Sequence, residues 1–398
     1  MNLPRNESFP PFGDEEHWDI SSFPGVYRRI INEFQWELRS SLEIFLNNGW
    51  YKRSHDWTYL LRLFDTLTGE CLSYRRLDIS KQADLQAKVI ADCYGLWSSL
   101  THPEPTIRSD SVSCARFDSS NYQAKVLRKT LIHIADLSQP IFETCLFAGL
   151  HGSMATLDYT GYSDIDSLVI LSKESVQKPE YLLDLQRTAT QICSAMYRYD
   201  PLQHHGVFFC TGFELETYPE AFLPVATLQR ALNFAGVCTL EISTRDSSFE
   251  ASRTFRTLSN SILSSPRSMS WRTSAGGLKG ILSVFYLMPC LFLGTIGEFC
   301  YKGDSFSRMR PYLSAEALTR LCRICEIRED WDFPRIFGRA ERRLYLAGMP
   351  TRLTRRICGK TTDKLFLLSL KDRWTILRSI IDVTDELLTL HRRTDKEI

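Results

Sequence analysis

Asp164 and Asp166 stand one residue apart at the head of an apolar run, Leu168-Val169-Ile170-Leu171. In an extended chain, residues two apart point to the same side, so the two carboxylates are presented together. Side by side they repel, and each raises the pKa of the other unless a cation compensates them. Such a pair suits magnesium, a hard ion typically held by one or two carboxylates together with substrate phosphates. Gly152 and Ser153 precede the pair across a turn-like stretch, Asp158 to Ser163. Glycine lets a backbone approach a ligand closely, and backbone N–H groups with a hydroxyl can hold phosphate oxygens. The combined chemistry is metal-assisted phosphoryl transfer, which asks a protein mainly for positioning and charge stabilisation.

The surrounding pattern predicts the elements that must position these residues. Tyr122 to Asp136 carries Val126, Leu127, Leu131 and Ile134 on one helical face. The period then changes: "ETCLFAGL" (143–150) suits a buried strand, and "DSLVIL" (166–171) a second. Pro179 to Arg198 reads as a helix and "HHGVFFC" (204–210) as a third strand, which gives an α/β unit around a small sheet. Helices are expected on both sides: Val26 to Asn48, 57–67 and 84–100 before it; 275–297, 314–327, 336–347 and 371–392 after it. The expected fold class is α+β, divided into a helical N-terminal region (1–120), a core (121–250) and a helical C-terminal domain (251–398).

Composition is that of an ordinary globular chain, 43% hydrophobic and 24% charged. A formal net charge of +1 excludes a global electrostatic signal for nucleic acid or membrane. The first twenty residues lack the basic and apolar regions of a signal peptide. The most apolar run, Ile281 to Leu293, is short for a bilayer span and contains Pro289, so a buried helix is expected. Twelve cysteines without a disulfide-like rhythm point to a reducing cytoplasm. Cys322 and Cys325 form a C-x-x-C with no second pair at zinc spacing, and "CGKTTDK" (358–364) lacks the upstream glycine and strand of a P-loop.

Gly152-Ser153 after a first strand, followed by Asp164-Ile165-Asp166 leading "SLVIL", resembles the signature of the DNA polymerase β-like nucleotidyltransferase superfamily. The resemblance covers roughly residues 122–215. It implies a small nucleotidyltransferase core sheet and transfer of a nucleoside monophosphate from an NTP such as ATP, with pyrophosphate leaving. It also implies two magnesium ions, exchangeable for manganese, with Asp164 and Asp166 as ligands and Gly152 and Ser153 on the phosphates. The acceptor is left open: a small-molecule hydroxyl fits a helical C-terminal domain like that of aminoglycoside-modifying relatives, and an RNA end or a protein hydroxyl fits a basic segment.

The chain departs from this pattern in one respect. The superfamily usually carries a third carboxylate on the next strand, and "LQHHGVFFCTGFELET" holds no acid within its strand. His205 is the candidate for that slot, as base or softer ligand, with His204 a weaker one; Glu214 or Glu216 could reach back if the strand is longer. The alternative is a degenerate protein that binds nucleotide or RNA without turnover. Lys279, at the start of an apolar helix, is the expected cation for the triphosphate, and Lys302 follows in a Gly-flanked stretch. The basic segment is 335–360, with eight Lys and Arg residues against one acid, Glu341.

Overall fold

The computed structural model describes residues 24–47, 57–68, 82–100, 105–200, 202–203, 205–265, 275–329, 331 and 370–394. The segment 335–360, the expected helix 336–347, "CGKTTDK" and His204 lie outside the described residues.

Three helices come first: α1 (Pro24–Leu46), α2 (Trp57–Thr68) and α3 (Ala83–Ser99). The sheet region then runs β1 (Arg108–Arg116), α4 (Lys125–Ser138), β2 (Cys145–His151), α5 (Gly152–Thr156) and β3 (Asp166–Leu171). It continues with α6 (Lys173–Val176), α7 (Pro179–Tyr199), β4 (Phe208–Thr211), α8 (Gly212–Leu215) and β5 (Tyr218–Pro219). The last part of the sheet is α9 (Val225–Leu228), β6 (Leu232–Asn233) and β7 (Cys238–Arg245). Among the described residues, six helices follow: α10 (Ser248–Ser264), α11 (Ala275–Phe285), α12 (Met288–Thr295), α13 (Lys302–Arg308), α14 (Ala315–Glu329) and α15 (Leu370–Thr394). The architecture is α+β.

The seven strands lie in the order β4-β3-β2-β6-β1-β7-β5. β3 runs antiparallel to β2 and parallel to β4. Leu168 to Leu171 are all buried, as expected of a strand covered on both faces. The sheet is wider than the three strands expected from the sequence. β1 (RSDSVSCAR) alternates buried Val112 and Cys114 with serines that bond across to β7: Ser111 Oγ donates to Glu241 at 2.7 Å. Its polar face masks its strand character in the sequence, and it brings part of the region 1–120 into the sheet. The third expected strand is shorter than 204–210 and begins at Phe208.

Helices α1 to α3, α4 and α7 share one apolar core with a face of the sheet, including Phe34, Leu42, Tyr94, Leu131, Val169 and Phe209. A second core joins α10 to α15 around Phe255, Leu282, Phe292 and Leu387. The helix expected at 275–297 is two helices: the chain turns at Tyr286–Leu287, and Pro289 opens α12, where its missing N–H costs nothing. Gly277 to Thr295 is apolar and long enough in total to cross a bilayer, yet Leu278, Leu282, Phe285, Phe292 and Leu293 are spent on this second core.

Candidate active site

The antiparallel register of β2 and β3 pairs His151 with Asp166. The chain leaves β2 at Gly152 with φ of +67°, a left-handed conformation that glycine adopts freely. A Cβ placed on Gly152 would lie 2.5 Å from Asp166 Oδ2. The turn and the carboxylate pair, separated by a turn-like loop in sequence, therefore meet at one point. Ser153 follows on α5 and is partly exposed. That short helix ends at Leu157, whose left-handed φ of 63° turns the chain into the loop before Asp164.

The aspartates are held by cations of the protein itself. Lys279 Nζ on α11 donates to Asp164 Oδ1 at 2.5 Å and to Asp200 Oδ2 at 2.7 Å. Burial pulls the Lys279 pKa down, but the two carboxylates outweigh it and raise the value above that of an ordinary lysine. Tyr162 anchors this arrangement. Its hydroxyl donates to the Lys279 carbonyl at 3.0 Å and bonds Ser283 Oγ at 2.6 Å, and its ring lies 5.3 Å from Lys279 Nζ.

His205 serves Asp166. Its Nε2 stands 2.8 Å from Asp166 Oδ1 and 3.6 Å from Asp164 Oδ2, while Nδ1 is 3.1 Å from the Gly206 carbonyl. The Gln203 amide nitrogen also faces Nδ1, at 3.4 Å, but the nearer acceptors at the two ring nitrogens, the Gly206 carbonyl and Asp166, favour the doubly protonated ring. Burial lowers the His205 pKa, and the hydrogen bond and charge of Asp166 more than restore it, so the net shift is upward. Asp166 is pushed up by burial but brought down to about 2 by His205, helped by His151 and Lys302. His205 therefore occupies the expected slot as a hydrogen-bond donor rather than as a free base. Glu214 and Glu216 sit beyond the other end of β4. Glu214 Oε2 accepts from Thr211 N at 2.8 Å in a capping box, and Glu216 pairs with Lys173.

Three residues of the site do not stand out in the sequence. Asp200 ends α7 in an extended conformation (φ −126°, ψ 105°), as a residue before proline tends to be, which turns its carboxylate to Lys279 and to Leu202 N at 2.8 Å. The Asp-Pro pair at 200–201 was the available signal. Gln203 clamps the backbone between the aspartates: its Oε1 accepts from Ile165 N at 3.1 Å, and its Nε2 donates to Ile165 O at 3.0 Å. His151 is buried against the ring of Phe208, and its Nε2 has no hydrogen-bond partner. Burial lowers its pKa to about 4, Asp166 opposing and His205 and Lys302 assisting.

At the rim, Lys302 is exposed at the start of α13. Beside it Tyr301 bonds Thr156 Oγ1 at 3.1 Å and lies under the Arg230 guanidinium at 4.4 Å. Of the sequence-derived candidates, Gly152, Asp164, Asp166, His205 and Lys279 come together, with Ser153 beside them. Cys322 and Cys325 lie on α14, the first exposed and the second partly buried.

No three His, Cys, Asp or Glu side chains among the described residues converge on one metal position. Asp164 and Asp166 still fit magnesium, since that ion needs only one or two carboxylates besides phosphates and water. The donor set is all oxygen, and the side chain of Asp166 is 17% exposed. Comparison with family models, with curated proteins and with solved structures finds no match to this chain.

Proposed function

We propose that the chain is a nucleotidyltransferase that moves a nucleoside monophosphate from an NTP to a hydroxyl acceptor and releases pyrophosphate. The observation that carries this reading is the contact of the Gly152 turn with Asp166, which brings phosphate-binding backbone and metal-binding carboxylates to one point. In this reading the sheet region is a nucleotidyltransferase core. The backbone at Gly152 and the Ser153 hydroxyl bind phosphate oxygens, and the exposed Lys302 draws the anion to the rim. Asp164 and Asp166 would hold magnesium, which would neutralise charge on the phosphates. Lys279 and Gln203 keep Asp164 and Ile165 in place, so little reorganisation is needed as charge develops. The acceptor oxygen bonds to the α-phosphorus, its proton passes to water, and the bond to the bridging oxygen breaks as pyrophosphate leaves.

A second reading has its own support. Lys279 and His205 already compensate the carboxylates, as they would in a degenerate protein that binds nucleotide or RNA without turnover.

Pyrophosphate release from each of the four NTPs with magnesium, with and without cellular RNA, tests the two. Release by the wild type that disappears in Asp164→Ala and in Asp166→Ala is the expected result. Magnesium-dependent NTP binding with no release from any NTP would select the binder. RNA dependence would identify the acceptor class.

A further inference from the structure

We infer that this site takes one divalent cation, at Asp164 and Asp166, and that the Lys279 ammonium permanently fills the place of a second. The inference rests on the nucleotidyltransferase reading for the role of the ion, and on four structural observations for its number.

The first is position. Lys279 Nζ lies between Asp164 Oδ1 and Asp200 Oδ2, at 2.5 and 2.7 Å, and so joins two carboxylates as a shared metal ion would. The second is permanence. The Lys279 side chain is 2% exposed, and its carbonyl is tied to Tyr162, which is itself bonded to Ser283 one turn further along α11. A lysine pinned at both ends is built in, unlike an exposed one that swings toward any nearby acid.

The third observation is access. The side chains of Asp164 and Asp200 are 7% and 4% exposed, whereas that of Asp166 is 17% exposed. An ion arriving from solvent reaches Asp166, with Asp164 Oδ2 behind it, and does not reach Asp200. The fourth is charge. Three carboxylates against Lys279 and the protonated His205 leave one negative charge, which a single divalent ion already exceeds. A second divalent ion would add two more positive charges to a nearly sealed site, which is strongly unfavourable. Asp200 is thus a positioning residue that holds Lys279, and through it Asp164.

Counting manganese by electron paramagnetic resonance on the full chain, without nucleotide, tests this directly. The wild type is expected to bind one Mn2+ per chain. Asp166→Asn should abolish that binding. Asp200→Asn should keep one site with affinity within about threefold, since Asp200 touches Lys279 and not the ion. Lys279→Met, checked for folding by circular dichroism, should open a second site and raise the count to two; if it does not fold, the Asp200→Asn result decides. Two Mn2+ in the wild type, no Mn2+ at all, or loss of binding in Asp200→Asn would overturn the inference. Pyrophosphate release separates its failure from that of the parent reading. Two ions with aspartate-dependent release would sink only the one-ion assignment. One ion without release would leave that assignment standing and remove the transferase.

Discussion

The molecule buries two ionic clusters at opposite ends of β3 and β4, and they differ in balance. At the far end, Arg245 meets Glu250 at 2.6 Å and Gln35 Oε1 at 3.1 Å, and its Nη1 donates to the Asp246 carbonyl. Close by, Arg39 faces Glu214 at 4.0 Å and lies between the rings of Trp36 and Phe222. Two arginines answer two glutamates, and the partners come from α1, α8, β7 and α10, so the cluster fastens the helical region to the sheet. At the near end, three carboxylates, Asp164, Asp166 and Asp200, face two cations among the described residues, Lys279 and His205, and Asp166 is the most exposed of the acids. Burial alone does not separate the two clusters. Their charge balance and the exposure of Asp166 do.

The sharpest way to break this comparison is to remove one cation from each end. Lys279→Met strands Asp164 and Asp200, and Arg245→Met strands Glu250; each should cost about 3–5 kcal/mol in denaturant unfolding, as loss of one partner of a buried pair does. The two should then diverge. Manganese should restore part of the Lys279→Met loss, because ligand binding to the native state stabilises it, and should leave Arg245→Met unchanged. Equal behaviour in manganese would mean that the near cluster is as structural as the far one.

Gly152→Ala is expected to have the next largest effect. The added Cβ meets Asp166 Oδ2 at 2.5 Å on a backbone with positive φ, a strain of about 2–3 kcal/mol. Because the clash pushes on Asp166, manganese binding should fall more steeply than thermal stability does. Gly149→Ala, in the strand that leads into this turn, is the control: its Cβ would strike the Leu232 carbonyl at 2.0 Å. It should lower stability while folded molecules still bind the ion.

Much of the near cluster is legible in the sequence because its parts are local. Gly152 with Ser153, and Asp164 with Asp166, keep fixed short spacings on either side of a tight antiparallel pair, and β3 runs from Asp166 to Leu171, as its apolar run implies. Lys279 is visible as a charge without an obvious partner on an apolar helix. Its role is not: instead of reaching for a triphosphate, it is spent on Asp164 and Asp200, a contact that depends on how α11 packs against the loop at Tyr162. Asp200 and Gln203 are hidden for the same reason, because each acts through a partner far away in sequence. β1 and β7 escape notice through their polar outward faces, since period-2 alternation is weak when serine and threonine fill one side.

His151 supplies the smallest of these tests and the one that reports on the near cluster through pH. Its ring is neutral and sealed, with a folded pKa of about 4 against about 6.5 for a solvated histidine. Between those values the unfolded chain binds a proton that the folded chain does not, so stability should fall as pH drops from 6.5 toward 4, by roughly 2 kcal/mol. Asp166, depressed to about 2, adds its own loss mainly below its ordinary value of 3.8, as the unfolded carboxylate takes up a proton, and so contributes little within this window. His151→Phe removes the titrating ring and the unpartnered Nε2 together, so its unfolding free energy should stay flatter across that window and exceed that of the wild type near pH 4.5. A loss as steep as in the wild type would assign the acid sensitivity to His205 or the far cluster. A flatter curve would mean that His151, kept neutral mainly by its burial with His205 and Lys302 assisting, carries the acid sensitivity of the near cluster.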